Sequence, residues 1–509
     1  MHVHRKGVLA AAASATLAAL SFAPAASANT FTAGTLTQAP DHPWAGTSKA
    51  CDKEIAASKA AGSVVYPGSE VEPYVVADPA GSSHLIAAFQ QDRWNDGGNN
   101  GDVAEVSNDG GASWSLSSNQ AAFTICSGGT FDRGSDPSLA VSSDGNTVYQ
   151  ASLAFDANGP AFGGASSVQV SRSTNGGAKW QAPVVVEQDN STTVLNDKEW
   201  VTTDPSSPGE AYLVWDRLVS PTSHSNPDAF THSPAYRGPA LFSKTTNGGK
   251  TWSSPQIIYD PGQENQTIDN EIVAPKAGPG AGTLIDGFVL IDNFPRATYT
   301  VAVLRSTDGG TTWSGPTIVS PIHVAEVSSS TGQPYRTGDI LPQFTSDSSG
   351  NLYVVWQDGS FSSSGLAKVA FSESTDGGKT WSAPIEVDQA PASAAAFTPQ
   401  ISVSSDGTLG VTYYDTQNAG AFSSGGGTDE YIVHCHAGCT DPASWAAGGQ
   451  TPLSTSGTFD MTTAPYAEGY FVGDYEGLAT SGSTFDPFFM MAQPIATLGP
   501  TDPFATTAG

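Results

Sequence analysis

The chain writes one short pattern five times: Ser or Thr, any residue, Asp or Asn, Gly-Gly, two residues and Trp. The first copy is Ser107-Asn108-Asp109-Gly110-Gly111-Ala112-Ser113-Trp114, and the others span 173–180, 245–252, 306–313 and 374–381. Each follows a strand-like run such as Val301-Ala302-Val303-Leu304 and precedes another, such as Pro316-Thr317-Ile318-Val319. A strand, a tight Gly-Gly turn and a second strand make a β-hairpin. The Asp or Asn side chain bonds the backbone of its own turn, the glycines supply positive φ, and the Trp folds back to bury its face.

The five tryptophans lie 66, 72, 61 and 68 residues apart, so the chain is built from similar units with one hairpin each. The rest of each unit also recurs. Glu72-Pro73-Tyr74-Val75-Val76 leads to Leu85-Ile86-Ala87-Ala88-Phe89, Asp136-Pro137-Ser138-Leu139 leads to Val148-Tyr149, and Pro342-Gln343-Phe344 leads to Leu352-Tyr353-Val354-Val355-Trp356. Two strands and a hairpin give a four-stranded unit, the size of a propeller blade. A sixth unit without the box starts at Pro399-Gln400-Ile401 and passes Leu409–Tyr414 and Tyr431–His434. Strands near Gly469–Leu478 and Phe485–Met491 would help to close the ring and remove sticky edges. The expected fold is all-β, a six-bladed β-propeller of four-stranded antiparallel blades, with seven as the rival count. Its expected bounds are 69–495, after a signal peptide (1–28) and a lead-in (29–68) and before a C-terminal tail (496–509).

Export is read from the N-terminus, where Arg5 and Lys6 precede a short apolar stretch and Ala26-Ser27-Ala28 offers small residues for cleavage. Taking those two cations from the 20 basic residues leaves 18 against 49 acidic ones. Such a surface repels nucleic acid and anionic membrane. No membrane insertion is expected, and the protein is expected to be secreted as a monomer. Four cysteines allow three pairings. The expected pairs are Cys51–Cys126, tying the lead-in to the first blade, and Cys435–Cys439, a small local loop; an exported protein favours disulfides over zinc at His434-Cys435-His436.

The five repeats resemble the Asp-boxes (BNR repeats) of the sialidase, or neuraminidase, superfamily, whose members fold as six-bladed propellers. The likeness spans roughly 70 to 390 and concerns the fold more than the chemistry, since such boxes also occur in non-catalytic propellers. Before the first box, Gln91-Asp92-Arg93-Trp94-Asn95-Asp96 matches the family's Arg-x-x-Asp element, and Pro73 matches the proline of its Arg-Ile-Pro motif. Val71 stands where that motif has its carboxylate-gripping arginine. The resemblance implies Asp96 as acid/base and Arg93 as a substrate contact. It also implies a Tyr nucleophile with a Glu base, because a carboxylate nucleophile would be repelled by the sugar's own carboxylate. Tyr475, in Gly473-Asp474-Tyr475-Glu476, and Glu199, in Asp197-Lys198-Glu199-Trp200, are the candidates. Arg336 and Arg305 are candidates to complete a guanidinium cluster.

The residues also suggest a site of their own. Acidic groups recur at the starts of the innermost strands: Glu70 and Glu72, Asp136, Asp197 and Glu199, Asp269 and Glu271, Asp339, and Asp474 and Glu476. On a closed ring these ends converge at one mouth, where carboxylates raise one another's pKa or hold a cation. No cofactor is expected, with Ca²⁺ as a secondary thought. Trp94, Phe230, Tyr236 and Phe361 are candidate sugar platforms. Three functions follow: a sialidase-type glycoside hydrolase acting on glycans at the mouth, a non-catalytic propeller binding glycan or protein, or a hydrolase or lyase for another sugar that uses the acidic rim.

Overall fold

The computed structural model describes residues 35–36, 48–79, 83–159, 161–220, 237–293, 296–454 and 456–508. The expected signal peptide, Phe230 and Tyr236 lie outside them. The fold is all-β, and the strands of the described residues form seven antiparallel units rather than six, of four strands each except for a fifth strand in unit six. Their innermost strands are Glu70–Ala77, Arg133–Val141, Val194–Thr203, Asn265–Val273, Gln343–Ser346, Ala396–Val403 and Gly477–Ser481. Each touches the next, and the last touches the first, so the units succeed one another around an axis. Units one and two also share a ladder pair, Asn99↔Gly134.

The unit missing from the six-blade expectation is the seventh. Its strands run in the order Gly477–Ser481, Thr484–Ala492, Thr501–Ala505 and then Thr35–Leu36. The third comes from the segment expected to be a tail, and the fourth from the lead-in, which pairs with it at Thr35↔Ala505 and Leu36↔Phe504. The lead-in also holds a helix, α1 (Lys49–Ala60), capped by Ser48, whose hydroxyl accepts from the Cys51 amide. Cys51 bonds Cys126, and Cys435 bonds Cys439, as expected.

The boxes form the turns that their residues specify. In the first, Asp109 Oδ1 accepts from the Ser113 amide at 2.8 Å and from Ser107 Oγ at 2.8 Å, while Ser107 Oγ accepts from the Gly111 amide at 2.9 Å. Gly110 and Gly111 sit at φ 71° and 85°, where a side chain is strained. The equivalent bonds hold exposed Asp308 and half-buried Asp376 down to about 2, through Thr312 for the first and against the effect of burial for the second.

The boxes also fasten one unit to the next. The residue before each of three boxes is a cation, and it donates to the first glycine carbonyl of the following box. Arg172 reaches Gly248 O at 3.1 Å, Lys244 reaches Gly309 O at 2.7 Å, and Arg305 reaches Gly377 O at 2.7 Å. Two box tryptophans meet an aromatic ring of the unit before them edge-on: Trp313 meets Phe242 at 5.5 Å and Trp252 meets Tyr149 at 6.4 Å. Unit six has no box, yet Trp445, in the short helix α2 (Pro442–Ala446), meets Phe371 of unit five at 5.3 Å in the same way. Its indole donates to the Cys439 carbonyl, so the Cys435–Cys439 loop takes over the box's task.

Candidate active site

The innermost strands are not regular. Five carry a two-residue bulge at the same level: Glu72-Pro73, Asp136-Pro137, Lys198-Glu199, Asp269-Asn270 and Thr398-Pro399. The first residue of each has positive φ (53°, 52°, 49°, 60° and 49°). Non-glycine residues seldom adopt this conformation, and for β-branched Thr398 it is an outlier. Bulges re-aim side chains. Here they gather charge around the axis.

Lys198 lies at the centre. Its ammonium is 2.9 Å from Asp474, 3.5 Å from Asp136 and 3.7 Å from Glu72, and its side chain is 5% exposed. Arg336 makes a bidentate pair with Asp474 at 3.1 and 2.6 Å. Arg93 faces Glu72 at 3.8 Å and donates to Gln90. Both guanidinium groups stand over the buried Phe471 ring, at 4.7 and 4.6 Å from its centroid. Two of the expected arginines therefore meet, and the third cation of the cluster is a lysine.

Burial pushes the Glu72 carboxyl well up, with Asp136 adding to the effect. For Asp136, burial acts in the same direction, but Lys198 and a hydrogen bond from Glu72 bring it below its ordinary value. The proton of that pair therefore sits on Glu72 and the negative charge on Asp136. Lys198 is raised well above normal because Asp136, Asp474 and Glu72 outweigh the cost of its burial. Asp197 is half-buried and pushed up to about 8 by burial and Asp136.

Tyr475 belongs to this cluster. It is 6% exposed, the Lys198 ammonium is 5.6 Å from its ring centroid, and burial together with Glu72, Asp136, Glu199 and Asp102 raises its pKa. Glu199 is within electrostatic reach of Tyr475, but burial and Asp136 raise it well above its ordinary value, so it rests protonated. The acidic strand ends thus converge through Glu72, Asp136, Asp197, Asp269 and Asp474, whereas Glu70 turns toward Gln91 and Asp502.

Four sequence-derived candidates lie elsewhere. Asp96 is buried and paired with Arg133 at 3.0 Å, and Arg133 continues to Ser58 and Glu54 of α1. The pair clamps the N-terminal helix onto unit one. Trp94 is fully buried beneath the Arg133 guanidinium, 4.0 Å from the ring centroid, and its indole donates to Asn100, so it offers no face to a sugar. Arg305 is one of the seam cations, on the side of the boxes. Phe361 is half-buried against the core of units four and five. Among the described residues, no group of three or more His, Cys, Asp or Glu is placed to hold a metal.

The axis is therefore polarised. The end opposite the charges is a cavity of about 410 Å³ lined by residues of all seven innermost strands, among them Tyr74, Leu139, Trp200, Ile272, Phe344, Gln400 and Leu478, with no charged side chain. Sequence reasoning missed Lys198 and Phe471; the available signals were a lysine inside an acidic stretch and an aromatic three residues before Asp474.

Repeat and turn chemistry agree on one feature: the chain carries a BNR/Asp-box repeat. The model of that repeat matches residues 373–383, which contain the fifth box. Several solved structures are similar in fold. A protein of unknown function from Dyadobacter fermentans is 14% identical over 95% of this chain and 99% of its own, with a TM-score of 0.48. The Hadza microbial sialidase Hz136 is 15% identical over 84% and 76%, with a TM-score of 0.46. The α-L-arabinanase of Penicillium chrysogenum is 13% identical over 75% and 94%, with a TM-score of 0.45. No curated protein matches the chain. No helix among the described residues is long and apolar enough to cross a membrane.

Proposed function

We propose that the protein is an exported glycoside hydrolase of the sialidase type, acting on a glycan with an acidic terminal sugar at the charged end of the axis. The observation that carries this reading is the meeting of Arg93, Arg336 and Lys198 with Tyr475 and several carboxyl groups, supplied by different units of the ring. The sugar's carboxylate displaces part of Asp474 from Arg336 and Lys198 and takes its charge-assisted bonds. Tyr475 Oη attacks the anomeric carbon and passes its proton to Asp136, an ionised carboxylate of the set. Asp197, protonated up to about 8, gives its proton to the departing glycosidic oxygen. Water then releases the sugar from Tyr475: Asp197 takes a proton of that water, and Asp136 returns its proton to the departing Tyr475 oxygen, so that both carboxyl groups and the phenol are restored. Export is supported by the N-terminal pattern and the two disulfides.

Hydrolysis of a fluorogenic sialoside tests the reading. Wild type turns it over, Tyr475→Phe loses at least about 100-fold in kcat, and Asp96→Asn keeps kcat within a few-fold. Absence of turnover by the wild type refutes hydrolysis of sialic acid. A second reading, a glycan-binding propeller without catalysis, is favoured by one observation: Asp474 already occupies both Arg336 and Lys198. Glycan-array binding without released sugar would select it.

A further inference from the structure

Beside the cation cluster lies a group of tyrosines that the reaction above does not use. Tyr466 is 43% exposed and is the sole aromatic among the exposed large hydrophobic residues described. Its ring meets that of half-buried Tyr470 edge-on at 5.4 Å, and the hydroxyl of half-buried Tyr66 donates to the Tyr466 carbonyl at 3.2 Å. The phenols of Tyr466 and Tyr470 both act electrostatically on that of Tyr66, so the three polar tips lie close together.

The group is fixed in place. Tyr466 and Tyr470 form a bridge across a tight turn in which the Ala467 amide donates to Gly469 O and the Phe471 amide to Pro465 O, both at 2.9 Å. Both flanks of the group are bonded to the cation cluster through the backbone. The Tyr66 amide donates to Arg93 O at 2.8 Å, and the Arg336 amide donates to Tyr470 O at 3.0 Å. Phe471, the next residue, carries both guanidinium groups. One stretch of chain, 465–475, thus supplies the tyrosine turn, the ring under the arginines, the Asp474 carboxylate and Tyr475.

A tyrosine offers an apolar face and a polar tip, and its aromatic ring costs little entropy to hold still. This combination suits a pyranose, which presents C–H groups on its faces and hydroxyls at its edge. From this geometry we infer a second sugar subsite at Tyr66, Tyr466 and Tyr470, which receives the neutral hexose linked to the acidic sugar. This inference rests on the hydrolase reading for its substrate, but not for its binding test. It makes the protein a reader of the linked oligosaccharide rather than of the terminal residue alone.

The test compares 3′-sialyllactose with the methyl α-glycoside of the same acidic sugar. Tyr466→Ala raises KM for the trisaccharide about 2- to 10-fold more than KM for the methyl glycoside, and Tyr466→Phe, which keeps the ring, restores most of the difference. Equal changes for both substrates, or none, overturn the subsite while leaving the hydrolase reading intact. If wild type hydrolyses neither, that reading falls and the subsite is judged by saturation-transfer NMR with lactose. Transfer to wild type that is lost in Tyr466→Ala supports it; no transfer to wild type, or equal transfer to both proteins, overturns it.

Discussion

Lys198→Met isolates the electrostatics of the axis. The ammonium lies 2.9, 3.5 and 3.7 Å from Asp474, Asp136 and Glu72. At an effective dielectric constant of about 20, a contact of this length is worth roughly 4–6 kcal/mol before desolvation. Most of that attraction is offset by the cost of burying the ions, but deleting the ammonium leaves the Asp474 and Asp136 carboxylates less compensated, and such losses run to about 3–5 kcal/mol. Methionine keeps the apolar stem in place, so the change is almost purely one of charge. With an unfolding entropy of about 1 kcal/mol/K for a chain of this size, Tm should fall by about 3–5 °C at pH 7.5. The pH dependence carries the sharper expectation. Without Lys198, the folded-state pKa of Asp136 rises, so the variant binds more protons when folded than when unfolded and recovers stability as pH falls. The deficit against wild type should therefore shrink at pH 5. Calorimetry at both pH values measures it. An unchanged Tm at pH 7.5, or a deficit that grows on acidification, would refute the claim that these groups act as one charge-balanced cluster.

Other outcomes follow from the same geometry. Arg305→Ala removes one seam bond and should cost about 1–2 kcal/mol while leaving kcat unaltered, which denaturant titration and the sialoside assay together check. Loss of Cys51–Cys126, which closes 75 residues, should cost about 4 kcal/mol, against about 2 for Cys435–Cys439, which closes four; urea titration of Cys→Ala pairs ranks them. Asp102 and Asp216 are held up to about 7 and Asp197 to about 8, with burial as the leading cause. The stabilising proton is fully bound below pH 4 and is lost as pH rises through 7 to 8, so wild type should melt higher at pH 5 than at pH 8.5.

The parts of the fold legible in the sequence were those whose chemistry is local. An Asp-Gly-Gly-Trp turn carries its own hydrogen bonds within eight residues, and all five were recognisable. Unit seven was not, because its outer strands come from residues 501–505 and 35–36, and that pairing leaves no local pattern. The convergence of acidic strand ends followed from repetition alone, whereas the central role of Lys198 depends on Asp474, 276 residues away. Arg-x-x-Asp identifies a neighbourhood without giving direction: Arg93 stands over Phe471, while Asp96 pairs with Arg133. The seam cations did leave a trace, a Lys or Arg immediately before three successive boxes, visible once their partners in the next box are known.

The pairing of Thr35–Leu36 with Thr501–Ala505 joins segments 470 positions apart, more than nine-tenths of the polypeptide. During synthesis the first of these emerges early and has nothing to bind until nearly every other residue has been added. Successive leaves can stack as they appear, each docking on its predecessor, but the clasp is necessarily the final event. Until then the growing molecule presents an open strand edge, and a terminated or trimmed product would retain it as a template for association with its neighbours.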